Sequence, residues 1–519
     1  MAVRKNAPLL TASAFVLLLV LAFVLRIPSF HSDFVTVDAG FYLIAAERIA
    51  EGGAQYVDTW DNKPPLITWT YTAFVELFGD NARLAIAIFT SLYLFVCAVF
   101  FNQFFFEFRL LRKFTVLPGA LLLFFLSSPW YIQELNTELL CLLPMLLTVR
   151  LMAKHFVEDG QPKPIRLFWA GLLCAVCIAA RYHGVFFTGG IVLSYIIVAR
   201  FSGQDFVTLI GGVLTGLAIM VFVLVNTGAW AAFWEIGLLY NLDYVRQSGN
   251  PGEMNGFGNL IENLKLWGGL LLIATIGFFG LRVNFNKLTV NQRKVESLLF
   301  IWLVASLISM AVGGRFYLHY FYFALPAVMI YVVYALEIRL RGMWRGLAVI
   351  ILIAFPLFTD LSYFAVNSPE RHASIKKLMP GIEDGGWIDG LFYRLHLTPQ
   401  EKALQADLQQ RGIEGGIWIV GFEPSMYVRL NRKMALKYTN HAIFVYKTPW
   451  LAKEPSKAPD PLSGIATMPA VYRELRGARP AYVIDLDGRF ARLKTLMPLL
   501  LDDYTRHTVG GTRVYVLEK

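Results

Sequence analysis

The sequence predicts a polytopic α-helical membrane protein with a small α/β domain in its C-terminal part. Three observations predict it. Of 519 residues, 56% are hydrophobic and 16% charged, and the mean hydropathy is +0.52; soluble domains carry about a quarter charged residues. Apolar runs close to the roughly 20 residues that span a bilayer recur as far as residue 363. From residue 364 those runs stop, and short strand-like segments replace them. This composition argues against a soluble enzyme and excludes a disordered chain.

The first span is read over Pro8–Leu25, behind Arg4 and Lys5. Arg26-Ile27-Pro28 follows it where a secretory signal would carry a small-x-small cleavage site, so this helix is expected to be retained. Further spans are expected near 82–105, 114–128, 138–153, 166–182, 184–200, 206–226, 264–282, 297–313, 320–338 and 343–363, giving about eleven in all. Basic residues set the orientation. With the N-terminus cytoplasmic, Arg109, Arg112, Lys113, Lys154, Lys163, Arg166, Arg200, Arg282, Lys287, Arg293, Lys294, Arg339, Arg341 and Arg345 all fall inside. The outside turns hold chiefly Arg48, Lys63, Arg181 and Arg246. The net charge of +10 thus reads as cytoplasmic loops facing an anionic bilayer surface, and no nucleic-acid partner is expected.

Residues 1–363 are therefore read as the transmembrane domain, with long outside loops near 28–81 and 227–263, and 364–519 as an extracytoplasmic α/β domain. Within the latter, Ile417–Val420, Ala481–Asp485 and Thr512–Leu517 read as strands, and Arg489–Leu501 as a helix. Cys97, Cys141, Cys174 and Cys177 lie in apolar runs and read as small packing residues, Cys174-x-x-Cys177 included. Gly212-x-x-x-Gly216 reads as a helix contact. The chain shows no internal repeat, phosphate-binding loop or dinucleotide fingerprint.

Ionisable residues collect at the outer ends of the expected helices. The first loop carries Asp38-Ala-Gly-Phe-Tyr42, then Tyr56-Val-Asp-Thr-Trp-Asp61-Asn-Lys63-Pro-Pro65. The two prolines predict an extended backbone that holds Lys63 on a rigid approach to the next apolar run. A second loop, Gln133-Glu-Leu-Asn-Thr-Glu138, sets two acids at a helix entrance. Arg181-Tyr-His183 and Arg315-Phe-Tyr-Leu-His319-Tyr320-Phe321 supply cations and aromatic rings at later outer turns. Acids from early loops facing cations from later ones suit sugar transfer from a lipid phosphate. A carboxylate accepts the proton of an attacking hydroxyl, and Arg, Lys and His stabilise the departing phosphate.

Taken singly, each residue also has a structural reading. Asp38 could cap a helix, and Lys63 and Arg315 could be snorkelling anchors. His183 and His319 could be packed interfacial residues, and Glu138 a helix-dipole partner. The aromatics of 317–323 read as an interfacial belt. Arg429, Arg432 and Lys433 read either as a solvated basic face or as a surface for an anionic glycan.

In their order along the chain these segments resemble bacterial membrane glycosyltransferases, the group related to protein O-mannosyltransferases and the lipid A aminoarabinose transferase (glycosyltransferase family 39, GT-C fold). The resemblance rests on Asp38…Tyr42, on Tyr56-x-Asp-x-Trp-Asp61-x-Lys63-Pro-Pro65, on Asn136-Thr-Glu138 and on Gly314-Arg315-Phe-Tyr-x-His319-Tyr320-Phe321, and covers roughly residues 8–340. It implies a multi-pass enzyme of the bacterial plasma membrane that moves a sugar, with inversion, from a polyprenyl-phosphate donor to a glycan, lipid or protein acceptor. It implies Asp38 as the catalytic residue, Lys63 on a loop touching the donor phosphate, and Arg315 and His319 where phosphate or lipid approaches. It implies for Glu138 a catalytic or orienting role toward acceptor or metal. Tyr42, Asp61, Arg181, His183 and Tyr320 complete the expected substrate-binding set. No cofactor is assigned, and the use of a divalent cation is left open. Where several relatives carry a second acid directly after the aspartate, this chain has Ala39, so neither a paired-carboxylate mechanism nor an acceptor is carried over. Two other readings stand beside this one, a transporter or flippase of lipid-linked sugars and a transferase using a pyrophosphate-linked glycan.

Overall fold

A computed structural model describes residues 11–30, 35–108, 116–127, 133–157, 163–199, 202–242, 256–312, 314, 316–366, 397–421, 423–436, 474–486, 488, 490–491, 494 and 501–518. Most of the first 366 residues are helical. In order the helices are α1 (Ala12–Val24), α2 (Val37–Ala50), α3 (Pro65–Phe78), α4 (Ala82–Glu107), α5 (Leu117–Ser127), α6 (Thr137–Val157), α7 (Pro164–Ala180), α8 (Gly184–Val198), α9 (Gly203–Asn226), α10 (Gly256–Val283), α11 (Val290–Ala311), α12 (Phe321–Tyr334) and α13 (Met343–Val366). Among the described residues, five helices are long and apolar enough to cross a membrane. They are Pro65–Glu107, Thr137–Val157, Gly203–Asn226, Leu266–Val283 and Val290–Ala311. Six shorter apolar helices accompany them.

The expected loop over 28–81 is largely helical. α2 and α3 have 14 residues each, and α3 continues through a 3₁₀ turn at Gly79–Asn81 into α4. Periodicity misses α2 because charged residues at both its ends interrupt the apolar pattern. Part of the second expected loop is helical too. A π-helix covers Phe233–Leu239, and residues 243–255, with Arg246, lie outside the described ones.

Small residues bring the helices close. A Cβ on Gly171 of α7 would lie 2.0 Å from the carbonyl oxygen of Leu209 in α9, and one on Gly212 would lie 2.0 Å from that of Phe168. The two backbones therefore touch, and any larger residue would separate them. The four cysteines are buried and unbridged.

The C-terminal segment contributes α14 (Pro399–Gln410), α15 (Ser425–Arg429) and strands β1 (Trp418–Val420), β2 (Tyr482–Asp485), β3 (Tyr504–Val509) and β4 (Thr512–Leu517). The sheet order is β1-β2-β4-β3, with β1 and β2 parallel and the other pairs antiparallel. β3 was not expected from the sequence. Its Thr-Arg-His-Thr stretch is polar, and only its pairing with β4 makes it a strand. The expected helix over Arg489–Leu501 falls mostly outside the described residues. The C-terminal unit rests on α2, where Ile44 packs into a core built from Leu404, Ile417, Ile419 and Tyr427.

Candidate active site

Thr36 begins α2. Its hydroxyl accepts from the backbone N–H of Ala39 at 3.4 Å, so Thr36 and not Asp38 caps the helix. Asp38 stands in the first turn. A carboxylate there is favoured by the positive helix end. Tyr42, one turn on, is 1% exposed, and its ring lies 5.4 Å from that of Tyr71 on α3.

The segment that carries Lys63 is tied down atom by atom. Asp61 Oδ1 accepts from the backbone N–H of Lys63 at 2.9 Å, and its Oδ2 accepts from the Thr68 hydroxyl at 3.1 Å. The Tyr56 hydroxyl donates to the carbonyl of Lys63 at 2.7 Å. Tyr56 itself has φ +66°, a strained value for a bulky residue. Pro64, at φ −62° and ψ 158°, supplies the expected extended approach to α3. Burial pushes the Asp61 carboxyl up to about 6, against the pull of its hydrogen bond from Lys63. Burial disfavours the Lys63 ammonium, but the negative charge of Asp38, first among several, outweighs it and holds Lys63 above its ordinary value.

Glu138 opens α6 and is 1% exposed. It forms an ion pair with Arg181, accepts from the Thr137 hydroxyl at 2.7 Å, and lies 3.5 Å from Nε2 of His319. Arg181 also donates to the Thr137 hydroxyl at 2.8 Å and to Nδ1 of His183 at 3.1 Å. Its guanidinium sits 4.2 Å above the Tyr320 ring, a cation–π contact. His183 lies 5.4 Å from Tyr320, and His319 stacks 5.7 Å from Tyr317. Burial drives both histidines below their ordinary value; Arg181 and Lys63 push the same way, while Glu138 opposes the shift at His319. Both are therefore neutral at physiological pH.

The structure thus brings Asp38, Tyr42, Asp61, Lys63, Glu138, Arg181, His183, His319 and Tyr320 into one charged cluster, although they come from five chain segments. Arg315 lies outside the described residues. The aromatics after it differ from the expected belt. Phe321, Tyr322 and Phe323 are buried inside the bundle, and Phe321 stacks 4.6 Å from Trp267 of α10. The expected basic face also dissolves in part, because Arg429 pairs with Glu401 and Glu423, and Lys433 with Glu51.

Three further residues support the site without having been assigned a role in it from the sequence. Glu134 accepts a hydrogen bond from the backbone N–H of Thr36 at 2.5 Å and so pins the start of α2. Tyr71 donates to the carbonyl of Leu135 at 2.8 Å, joining α3 to the loop before α6. Arg26 is fully buried, and its side-chain nitrogens have no hydrogen-bond partner. A lone charge directly after an apolar run was the available signal for Arg26. Among the described residues, no group of three or more His, Cys, Asp or Glu could hold a metal ion.

The chain has the GT-C fold, as its superposition on two solved structures shows. The undecaprenyl-phosphate complex of ArnT from Cupriavidus metallidurans superposes with a TM-score of 0.57 at 14% identity, over 97% of each chain. Its apo state gives 0.58 at 15% identity, again over 97% of each. The oligosaccharyltransferase AglB from Archaeoglobus fulgidus, bound to an inhibitory peptide and a dolichol phosphate, gives 0.47 at 12% identity over 98% of this chain and 74% of its own. No protein-family model matches the sequence, and no curated protein matches it.

Proposed function

We propose that this protein is an integral membrane glycosyltransferase that moves a sugar from a polyprenyl-phosphate donor to an acceptor hydroxyl or amine outside the cytoplasm, with inversion. The observation that carries this reading is the Asp38–Lys63 juxtaposition. Asp38, half-buried in the first turn of α2, is the foremost of the negative charges that hold the half-buried Lys63 ammonium above its ordinary value against the effect of burial. A base and an anion-binding group are thus held together without neutralising each other through a direct ion pair among those described.

In the proposed step Asp38 accepts the proton of the acceptor group as that atom attacks the anomeric carbon. The bond from this carbon to the phosphate oxygen breaks, and the electron pair leaves with the lipid phosphate. Lys63 stabilises the developing charge on that oxygen, with Arg181 behind it. Arg181 is already engaged by Glu138, so its role is to orient. Glu138 pairs with Arg181 and lies beside His319, so it fixes the position of the guanidinium. Asp61 and Tyr56 hold the Lys63 backbone in place, which is what a charge must have to act without reorganising. The fold supports a lipid-linked donor further, since the ArnT relative in fold was solved with undecaprenyl phosphate.

The test is a transfer assay. Purified protein meets a panel of undecaprenyl-phosphate sugars and a membrane extract as acceptor, with release of free undecaprenyl phosphate read by mass spectrometry. Wild type should release it and Asp38→Asn should not, while donor binding persists. Release by Asp38→Asn at the wild-type rate overturns the base assignment. Sugar movement across vesicles without any glycosidic product favours a flippase.

A further inference from the structure

α2 has two opposite working faces. Residues two apart on a helix point about 200° from each other, and residues four apart share a face. Asp38 and Tyr42 face the charged cluster, whereas Gly40 and Ile44 face the C-terminal unit. The contact at Gly40 is made with backbone. A Cβ there would lie 2.4 Å from the Ser425 Cα and 2.6 Å from its nitrogen. No side-chain rotation could relieve that overlap, so glycine is what lets α15 lie on α2 at this height. One turn on, Ile44 is 2% exposed and belongs to the core of the C-terminal unit.

The start of α2 is held from both sides. From the bundle, Glu134 takes the N–H of Thr36. From the C-terminal unit, the Arg429 guanidinium donates to the Val35 carbonyl at 3.4 Å. Arg429 is itself braced by Glu401, by Glu423 at 3.2 Å and by the Ser425 hydroxyl at 2.9 Å. At the far end of the helix, Lys433 pairs with Glu51. The helix bearing Asp38 is therefore clamped at its start, along its back and at its end by residues from 401–433.

We propose that the C-terminal unit is a positioning element of the transfer site. Gly40 and Arg429 seat it on α2 and thereby fix where Asp38 stands; this rests on the reading of Asp38 as the base. Gly40 and Arg429 are positioning residues, acting through α2 and touching no substrate. Displacing a catalytic group by about 1 Å is enough to reduce turnover about a hundredfold. Lifting the unit off its glycine seat should therefore lower turnover of bound donor and leave donor affinity alone.

The experiment uses the full chain with Gly40→Ala, Arg429→Met, Arg429→Lys and Asp38→Asn, each in two forms. One form measures kcat and KM for the lipid-phosphate sugar. The other carries Glu51→Cys and Lys433→Cys, and reads seating as cross-linking by a short bismaleimide; the native cysteines are buried. Gly40→Ala and Arg429→Met are expected to lose roughly tenfold or more in kcat, with unchanged donor KM and reduced cross-linking. Arg429→Lys, which keeps the charge toward Glu401, should recover most of both. Reduced cross-linking with wild-type kcat overturns the proposal, as does a lower kcat with cross-linking intact. Should Gly40→Ala fail to fold, the Arg429 pair decides alone. Loss of activity in Asp38→Asn separates this outcome from failure of the base assignment, which would show as an active Asp38→Asn.

Discussion

The Glu138–Arg181 pair gives a prediction that can be worked from the structure. Both side chains are buried, at 1% and 8% exposure. Removing one partner of a buried pair leaves an uncompensated charge and costs about 3–5 kcal/mol. In Arg181→Met the abandoned charge is Glu138, left with the Thr137 hydroxyl and His319. The same change removes the stacking of Arg181 on Tyr320, worth about 0.5–2 kcal/mol. Together these come to about 3.5–7 kcal/mol, so folded protein should lose roughly a few hundredfold to a hundred-thousandfold relative to unfolded. The double variant Arg181→Met/Glu138→Gln removes both charges and keeps the hydrogen-bonding shape of Glu138. It should recover most of the stability, since a buried pair replaced as a unit is often neutral. It should not recover transfer, because the orienting cation is gone. The assay is a double-mutant cycle by denaturation in one detergent, with transfer measured in parallel. If the two single losses simply add in the double variant, the residues are uncoupled and the reasoning is refuted.

Asp61 predicts a pH dependence. Its carboxyl is raised by burial from 3.8 to about 6, so folding favours the protonated form. That contribution is complete below the ordinary value and is lost as pH rises through about 6, which near neutrality amounts to roughly 3 kcal/mol. The melting temperature should rise as the pH is lowered from neutral toward about 5, and Asp61→Asn, which can still accept from Lys63 N–H, should flatten that rise. Lys63→Met should reduce kcat by about a hundredfold, the usual loss for one donor aimed at a developing anion; a change in KM alone would move Lys63 from the transition state to ground-state binding. Tyr56→Phe loses the hydrogen bond to the Lys63 carbonyl, worth about 1 kcal/mol, and should loosen the loop, which hydrogen exchange at residues 57–64 would report.

Much of the bundle was legible in the sequence, because a bilayer demands long apolar runs and nothing else in this chain looks like them. α4, α6, α7, α8 and α9 fall within a few residues of their expected places, whereas α11 starts seven residues before its own. α2 did not, since a helix lying between two protein units needs apolar residues on both faces and shows no single stripe. The polar strand β3 was invisible for a related reason, as it exists only by pairing with β4.

By itself the sequence determined the membrane class, the location of the charged segments at helix ends, and the rigidity before α3 imposed by Pro64 and Pro65. Those follow from hydropathy, charge and fixed φ angles, which are local properties. Only the tertiary structure decided which charges meet. Glu138 and Arg181 are 43 residues apart and form an ion pair across α6 and α7. Glu134, one of two acids at the entrance of α6, accepts from the backbone N–H of Thr36 instead of joining Glu138 in the cluster. Arg429 looked like a surface cation yet reaches back to Val35 at the start of the helix carrying Asp38. Pairings of that kind depend on where helices stand beside one another, and packing sets that through contacts such as the glycine seat at Gly40, whose neighbour lies nearly 400 residues away along the chain.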